Sequence, residues 1–187
     1  MIPLAYRNRP GQLPLKGFAV LVLLVFAGAA RAVEGYGSAS LGAAQFKIAD
    51  TGYNLATLNV SGGAWLWQGI GVELAAGFSL DDDTNGSLTL DSARTVSINV
   101  RLESPRADGY SIYTLFGVSS AKVDTVFSNL SGSNTGNSLT GGRITVGATA
   151  ALQRRLQLDL GFSHYEFEDN IRQDSLHFGL RYEFGAK

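Results

Sequence analysis

The sequence predicts an all-β protein: an eight-stranded antiparallel up-and-down transmembrane β-barrel that follows a cleaved signal peptide. Three observations carry this reading. The N-terminus has the order of an export leader, the rest of the chain alternates apolar and polar residues with a period of two, and the connections alternate between short and long.

Arg7, Arg9 and Lys16 precede an uninterrupted apolar run from Phe18 to Phe26, and the small residues Ala27 to Ala30 follow. That run is far shorter than the roughly 20 residues a helix needs to span a membrane. Ala30-Arg31-Ala32 supplies a small-x-small cleavage site, so residues 1–32 read as a signal peptide and residues 33–187 as the barrel domain. All 16 acids lie in the second part, whereas four of the 15 basic residues lie in the leader; 11 bases against 16 acids leave a formal charge of −5. That sign argues against nucleic acid as a partner. With no cysteine, neither a disulfide framework nor a thiolate metal site is available, and no cofactor is expected.

A transmembrane strand alternates between lipid and lumen, so its signal is a period of two over about ten residues. Val72, Leu74, Ala76, Phe78 and Leu80 are apolar, while Glu73, Ala75, Gly77 and Ser79 are small or ionisable. Val96, Ile98, Val100 and Leu102 similarly oppose Thr95, Ser97, Asn99, Arg101 and Glu103. Ile144, Val146, Ala148, Ala150 and Leu152 oppose Arg143, Thr145, Gly147 and Thr149, and Leu156, Leu158, Leu160 and Phe162 oppose Gln157, Asp159, Gly161 and Ser163. The last segment sets Leu176, Phe178, Leu180, Tyr182 and Phe184 against Ser175, His177, Gly179, Arg181 and Glu183. Three further strands are softer: Gly35 to Lys47, Asn54 to Trp67 with Leu58, Val60, Gly62, Ala64 and Leu66 outward, and Tyr110 to Val123. In the last of these both parities hold large apolar residues, so its facing stays open.

The connections Trp67 to Gly69, Ser104 to Gly109 and Gln153 to Arg154 are short; Ile48 to Tyr53, Asp81 to Ser87, Asp124 to Asn137 and Glu168 to Arg172 are mostly longer and more polar. Up-and-down topology puts the short turns on one side and the long loops on the other. Closure follows from the backbone, because unpaired N–H and C=O groups in hydrocarbon cost several kcal/mol.

Eight strands enclose only enough space for side chains. Glu73, Arg101, Glu103, Arg143, Asp159, Arg181 and Glu183 all carry the inward parity and are expected to form a paired ionic network across the interior. A proton-relay or ion-gating role is the sharper reading, a plug that satisfies the interior the plainer one. Trp65, Trp67, Tyr110, Tyr182 and Phe184 fall near strand ends, where interfacial girdles are expected.

Gly71-Val72-Glu73-Leu74, opening a strand, and the C-terminal pattern Leu176-x-Phe178-x-Leu180-x-Tyr182-x-Phe184 give the chain a resemblance to the small outer-membrane β-barrel proteins related to the OmpA transmembrane domain and the OmpX/Ail group. It extends over residues 33–187. The resemblance implies the outer membrane of a Gram-negative bacterium, surrounded by outer-membrane lipid and lipopolysaccharide. It also implies that the C-terminal pattern is the assembly signal read by the barrel-assembly machinery. In the family that signal usually ends on the terminal aromatic; here Gly185-Ala186-Lys187 follow.

Catalysis finds little support. Family members that modify lipid A use a Ser and a His near the outer rim, and Ser163-His164 with Glu166 or Glu168 occupies about that height. Adjacent strand residues point to opposite faces, so the two pair only through a bulge. His177 carries the inward parity and is a second candidate partner for Ser163. Asp81-Asp82-Asp83-Thr84-Asn85-Gly86 matches the opening of a calcium loop, which makes Asp81, Asp83, Asn85 and Asp91 candidate ligands, although Ser92 stands where the closing Glu belongs. A turn rich in Asp, Asn and Gly is equally what a strand connection uses.

Three functions remain: a structural or surface-exposed outer-membrane protein without catalytic turnover, serving envelope integrity or surface interaction; a narrow ion or small-solute channel; and a soluble periplasmic lipocalin-like ligand-binding barrel, with the apolar face turned inward. The loop Asp124 to Asn137, rich in Ser, Asn, Gly and Thr, is the surface-interaction candidate.

Overall fold

The computed structural model describes residues 34–48, 51–85, 88–127, 134–168 and 171–185. The expected signal peptide lies outside them, and the compact unit begins at Glu34. Nine strands follow: β1 (Gly35–Ile48), β2 (Thr51–Trp67), β3 (Ile70–Ser79), β4 (Asp83–Asn85), β5 (Leu88–Glu103), β6 (Tyr110–Phe127), β7 (Asn134–Ala151), β8 (Leu156–Phe167) and β9 (Arg172–Phe184). Each pairs antiparallel with its neighbours; β1 pairs with β9, and β3 pairs with both β2 and β5, which closes the sheet. The short β4 continues the β3 position upward along β5, so the wall has eight positions.

Alternation sets the facing. Val96, Ile98, Val100 and Leu102 are exposed on the outer wall, whereas Thr95, Ser97, Asn99 and Arg101 are buried inside. Lipid is the only solvent that suits such an outside. A lipocalin-like arrangement would reverse the faces, and the structure overturns it: the interior carries Arg, Glu, Ser, Thr and Gln, the exterior Leu, Ile, Val and Phe.

Tight turns join strands at one end. In the β5–β6 connection Asp108 (φ 51°) and Gly109 (φ 85°) form a two-residue turn, with Ala107 and Tyr110 exchanging backbone hydrogen bonds of 2.9 and 2.8 Å. Positive φ at both central residues matches the twist of the flanking strands, and Asp-Gly is the sequence that tolerates it.

Three expected connections are corrected, the first being Ile48 to Tyr53, where β2 already starts at Thr51. The polar stretch Asp124 to Asn137 is not all loop, because β6 runs to Phe127 and β7 starts at Asn134, with Asp124 opposite Gly136. The backbone ladder continues above the apolar band, where water rather than lipid selects the side chains. Within Asp81 to Ser87, Asp83–Asn85 form β4.

The facing of β6 is settled: Ser111, Tyr113, Leu115, Ser119, Ala121 and Val123 point inward, and Ile112, Phe116 and Val118 outward. Both parities are apolar because the interior itself changes character with height. Phe46, Tyr53, Leu55, Leu90, Ala93, Ala121, Val123, Leu139, Tyr165 and Phe167 fill the long-loop end of the barrel with an apolar core. Glu73, Arg101, Glu103, Arg181 and Glu183 occupy the short-turn end.

Candidate functional site: the lumen and the outer rim

The ionic layer is built from β3, β5 and β9. Arg101 donates from Nη1 to Glu73 (3.2 Å) and from Nε to Glu103 (2.8 Å); Arg181 donates from Nη1 to the same Glu103 oxygen (2.7 Å) and from Nη2 to Glu183 (3.3 Å). Both guanidinium groups are fully enclosed, as befits buried charges that are paired on more than one side. Ser111 donates to the second Glu103 oxygen at 2.9 Å, and Arg106, from the β5–β6 turn, reaches Glu183 at 3.1 Å.

Of the seven residues singled out, Glu73, Arg101, Glu103, Arg181 and Glu183 meet in this one cluster. Asp159 and Arg143 do not. Asp159 accepts the Tyr113 hydroxyl hydrogen bond at 2.6 Å and lies 4.0 Å from His177 Nε2. Arg143 donates to the hydroxyls of Ser97 (2.8 Å), Thr145 (3.1 Å) and Ser163 (3.3 Å), with no carboxylate within 4.0 Å among the described residues.

The sequence reading missed the aromatic half of this layer. Tyr36 donates to Glu73 at 2.9 Å, its ring lying 4.2 Å from the Arg181 guanidinium and 5.0 Å from that of Arg101. Tyr113 lies 3.7 Å under Arg101. Cation–π contacts are worth up to about 2 kcal/mol when desolvated. The available signal was parity: Tyr36 shares its face with Ser38 and Ser40, and Tyr113 with Ser111 and Ser119. Trp65 also faces inward, 5.3 Å from Arg181 and tilted against Tyr36, so it caps the lumen instead of joining a girdle. Trp67, Tyr110, Tyr182 and Phe184 do face outward at the short-turn end.

Glycines make room for these rings. A Cβ on Gly63 would collide with the Tyr36 ring, and one on Gly147 with the Tyr113 ring. Between the ionic layer and the apolar core lies a cavity of about 30 Å³, walled by serine hydroxyls, Glu73, Arg101, Tyr113, Arg143, Asp159 and His177. Its size suits about two waters.

At the outer rim, His164 Nδ1 and Asp174 Oδ1 are 2.6 Å apart on the outward face. Ser163 points inward, hydrogen-bonded to Thr145 at 2.8 Å, and His177 sits one pair below it, opposite Gly161. No Ser–His pair is brought together by these residues, and no bulge interrupts β8 against β7 or β9.

Three of the calcium candidates have structural work. Asp81 Oδ1 accepts from the Ala56 amide and Asp83 Oδ2 from the Asn54 amide, each at 2.7 Å, and Asn85 Nδ2 donates to the Gly52 carbonyl at 3.4 Å. β2 runs further up the barrel than β3, and these side chains stand in for the missing ladder. Asp91 falls at the irregularity between Leu90 and Ser92, and its side chain lies outside the described residues. Among the described residues no group of three or more His, Asp or Glu is placed to hold a metal.

The barrel is similar to solved outer-membrane proteins. Neisserial surface protein A superposes with a TM-score of 0.69 at 15% identity, covering 80% of this chain and 97% of that one. Ail, the attachment invasion locus protein of Yersinia pestis, superposes with a TM-score of 0.63 at 15% identity, over 82% and 99%. The N-terminal β-barrel domain of Pseudomonas aeruginosa OprF gives 0.55 at 13% identity, over 79% and 97%. At these identities the likeness is one of fold. No curated protein matches the sequence. The family model of the outer membrane protein β-barrel domain, however, matches residues 18–184. With a closed strand ladder, an apolar exterior and that match, the chain belongs to the outer membrane protein β-barrel domain family and is a protein of the Gram-negative outer membrane.

Proposed function

We propose that the protein is a non-conducting structural barrel without catalytic turnover, which supports envelope integrity and presents its long-loop end for surface interaction. The observation that carries this is the double seal. The Arg101–Glu103–Arg181 cluster closes one level of the lumen, and the Phe46–Tyr53–Leu55–Tyr165–Phe167 core closes another. A narrow channel needs a continuous polar path, and the small polar cavity lies between these two fillings. At the rim, the His164–Asp174 pair has Glu166, not a hydroxyl, as the next outward residue on its strand, which supports the reading without turnover. For biogenesis, the outward row Leu176, Phe178, Leu180, Tyr182 and Phe184 on β9 supports recognition by the barrel-assembly machinery.

A strain lacking the protein tests the reading. It is expected to become more sensitive to detergent and to large antibiotics. Complementation by a chain in which residues 128–133 are replaced by a short turn separates the two roles. Restored resistance assigns the role to the barrel wall, and loss of attachment alone assigns surface interaction to the loop. A deletion strain indistinguishable from its parent in both assays would overturn the proposal.

A further inference from the structure

We propose that the outer end of the β5–β6–β7 wall is a docking site for the phosphorylated headgroup of an outer-leaflet lipid; the inference rests on the outer-membrane placement of the barrel and adds to it a specific lipid site. Arg94 and Lys122 are direct antiparallel partners, and both are exposed on the outward face. Like charges directly opposite one another destabilise a strand pair. Among the described residues neither cation has a carboxylate within 4.0 Å; the same-face neighbour Asp124 instead accepts from the Ser92 hydroxyl at 3.1 Å. An external anion between the two cations therefore relieves a repulsion that the chain itself leaves in place.

The surroundings specify the anion. Ser138 is the β7 partner of Lys122, and Ser120 and Thr140 form the row beneath, all exposed. Two cations and three hydroxyls are the donor set that phosphate oxygens take, with arginine able to bind two of them at once. Directly below, Val96 and Val118 are each 59% exposed and begin the apolar wall. Cations above and apolar surface beneath is the order of headgroup and acyl chains in a lipid, and a free phosphate ion would use only the upper half. The opposite wall differs: there the row Gln45, Asp174 and His164 carries its own carboxylate.

The test uses the mature barrel folded in zwitterionic micelles and titrated with diphosphorylated lipid A or the same lipid stripped of phosphate, with retained lipid counted by native mass spectrometry. Two juxtamembrane cations contribute about 1 kcal/mol each, so the wild type should prefer the phosphorylated lipid roughly tenfold to thirtyfold. Arg94→Gln with Lys122→Gln should remove most of that preference. Arg154→Gln with Arg155→Gln, the same charge change at the opposite end, should keep it. Equal retention of both lipids by the wild type, an unchanged preference in the first double variant, or displacement of the lipid by millimolar inorganic phosphate would overturn the proposal. Heat-dependent gel mobility of each sample reports folding separately; its absence in the wild type would count against the barrel reading itself.

Discussion

Glu103 Oε2 accepts from both Arg101 Nε at 2.8 Å and Arg181 Nη1 at 2.7 Å, so one carboxylate oxygen on β5 ties β9 across the lumen. Removing a single partner leaves an uncompensated buried charge, which costs about 3–5 kcal/mol. Glu103→Leu should therefore lower unfolding stability in urea by that amount in lipid vesicles. Glu103→Leu combined with Arg181→Met should recover a substantial part of the loss, because it removes both charges.

Tyr113 and Gly147 form the second relationship that stability should report. The Tyr113 ring occupies the space a Gly147 side chain would need, and the Tyr113 hydroxyl is held by Asp159 at 2.6 Å. Gly147→Ala is expected to destabilise the barrel by about 1–3 kcal/mol through overpacking. Gly142→Ala, on the same strand with nothing within 4 Å of the added carbon, should stay within about 0.5 kcal/mol of wild type. Equilibrium urea titration of the two variants checks the contrast.

Asp81 and Asp83 should behave as backbone caps. Asp81→Ala and Asp83→Ala each remove an acceptor from a β2 amide, a loss of about 1 kcal/mol locally. Hydrogen exchange should quicken at Ala56 in the first variant and at Asn54 in the second. Adding calcium or a chelator should leave the wild-type melting temperature unchanged.

The lipid face makes its own prediction. Ile98 and Val100 lie in the middle of the apolar band. Arginine at either position should cost about 2–4 kcal/mol, with a smaller penalty near the band edge, as at Leu102. A folding titration in phospholipid vesicles reads the gradient with depth.

The strands with one polar and one apolar parity were legible because lipid and a packed polar lumen select opposite chemistries at neighbouring positions. Val96 to Leu102 and Leu176 to Phe184 are the clearest cases. β6 was not legible for a physical reason: Ala121 and Val123 point into an apolar core while Phe116 and Val118 point to lipid, so period two loses its contrast. The inward parity of Glu73, Arg101, Glu103 and Arg181 could be read, but their pairing could not. Parity fixes a face, whereas pairing depends on register, and register brings Gly71 opposite Arg101 and Gly37 opposite Tyr182. Trp65 reads as a girdle residue because aromatic residues sit at membrane interfaces; here it lies with Tyr36 against the buried Arg181 guanidinium. The polar run Asp124 to Asn137 resembled a loop because strand propensity is weak where a ladder rises into water.

The double seal is tested most directly by single-channel recording of the purified, folded wild-type barrel in planar bilayers at high salt. A baseline without conductance steps is expected, since both the Arg101–Glu103–Arg181 layer and the Phe46–Tyr53–Leu55 core would have to open together. Stable, ohmic steps that change on Arg101→Met would contradict it and make the lumen a channel.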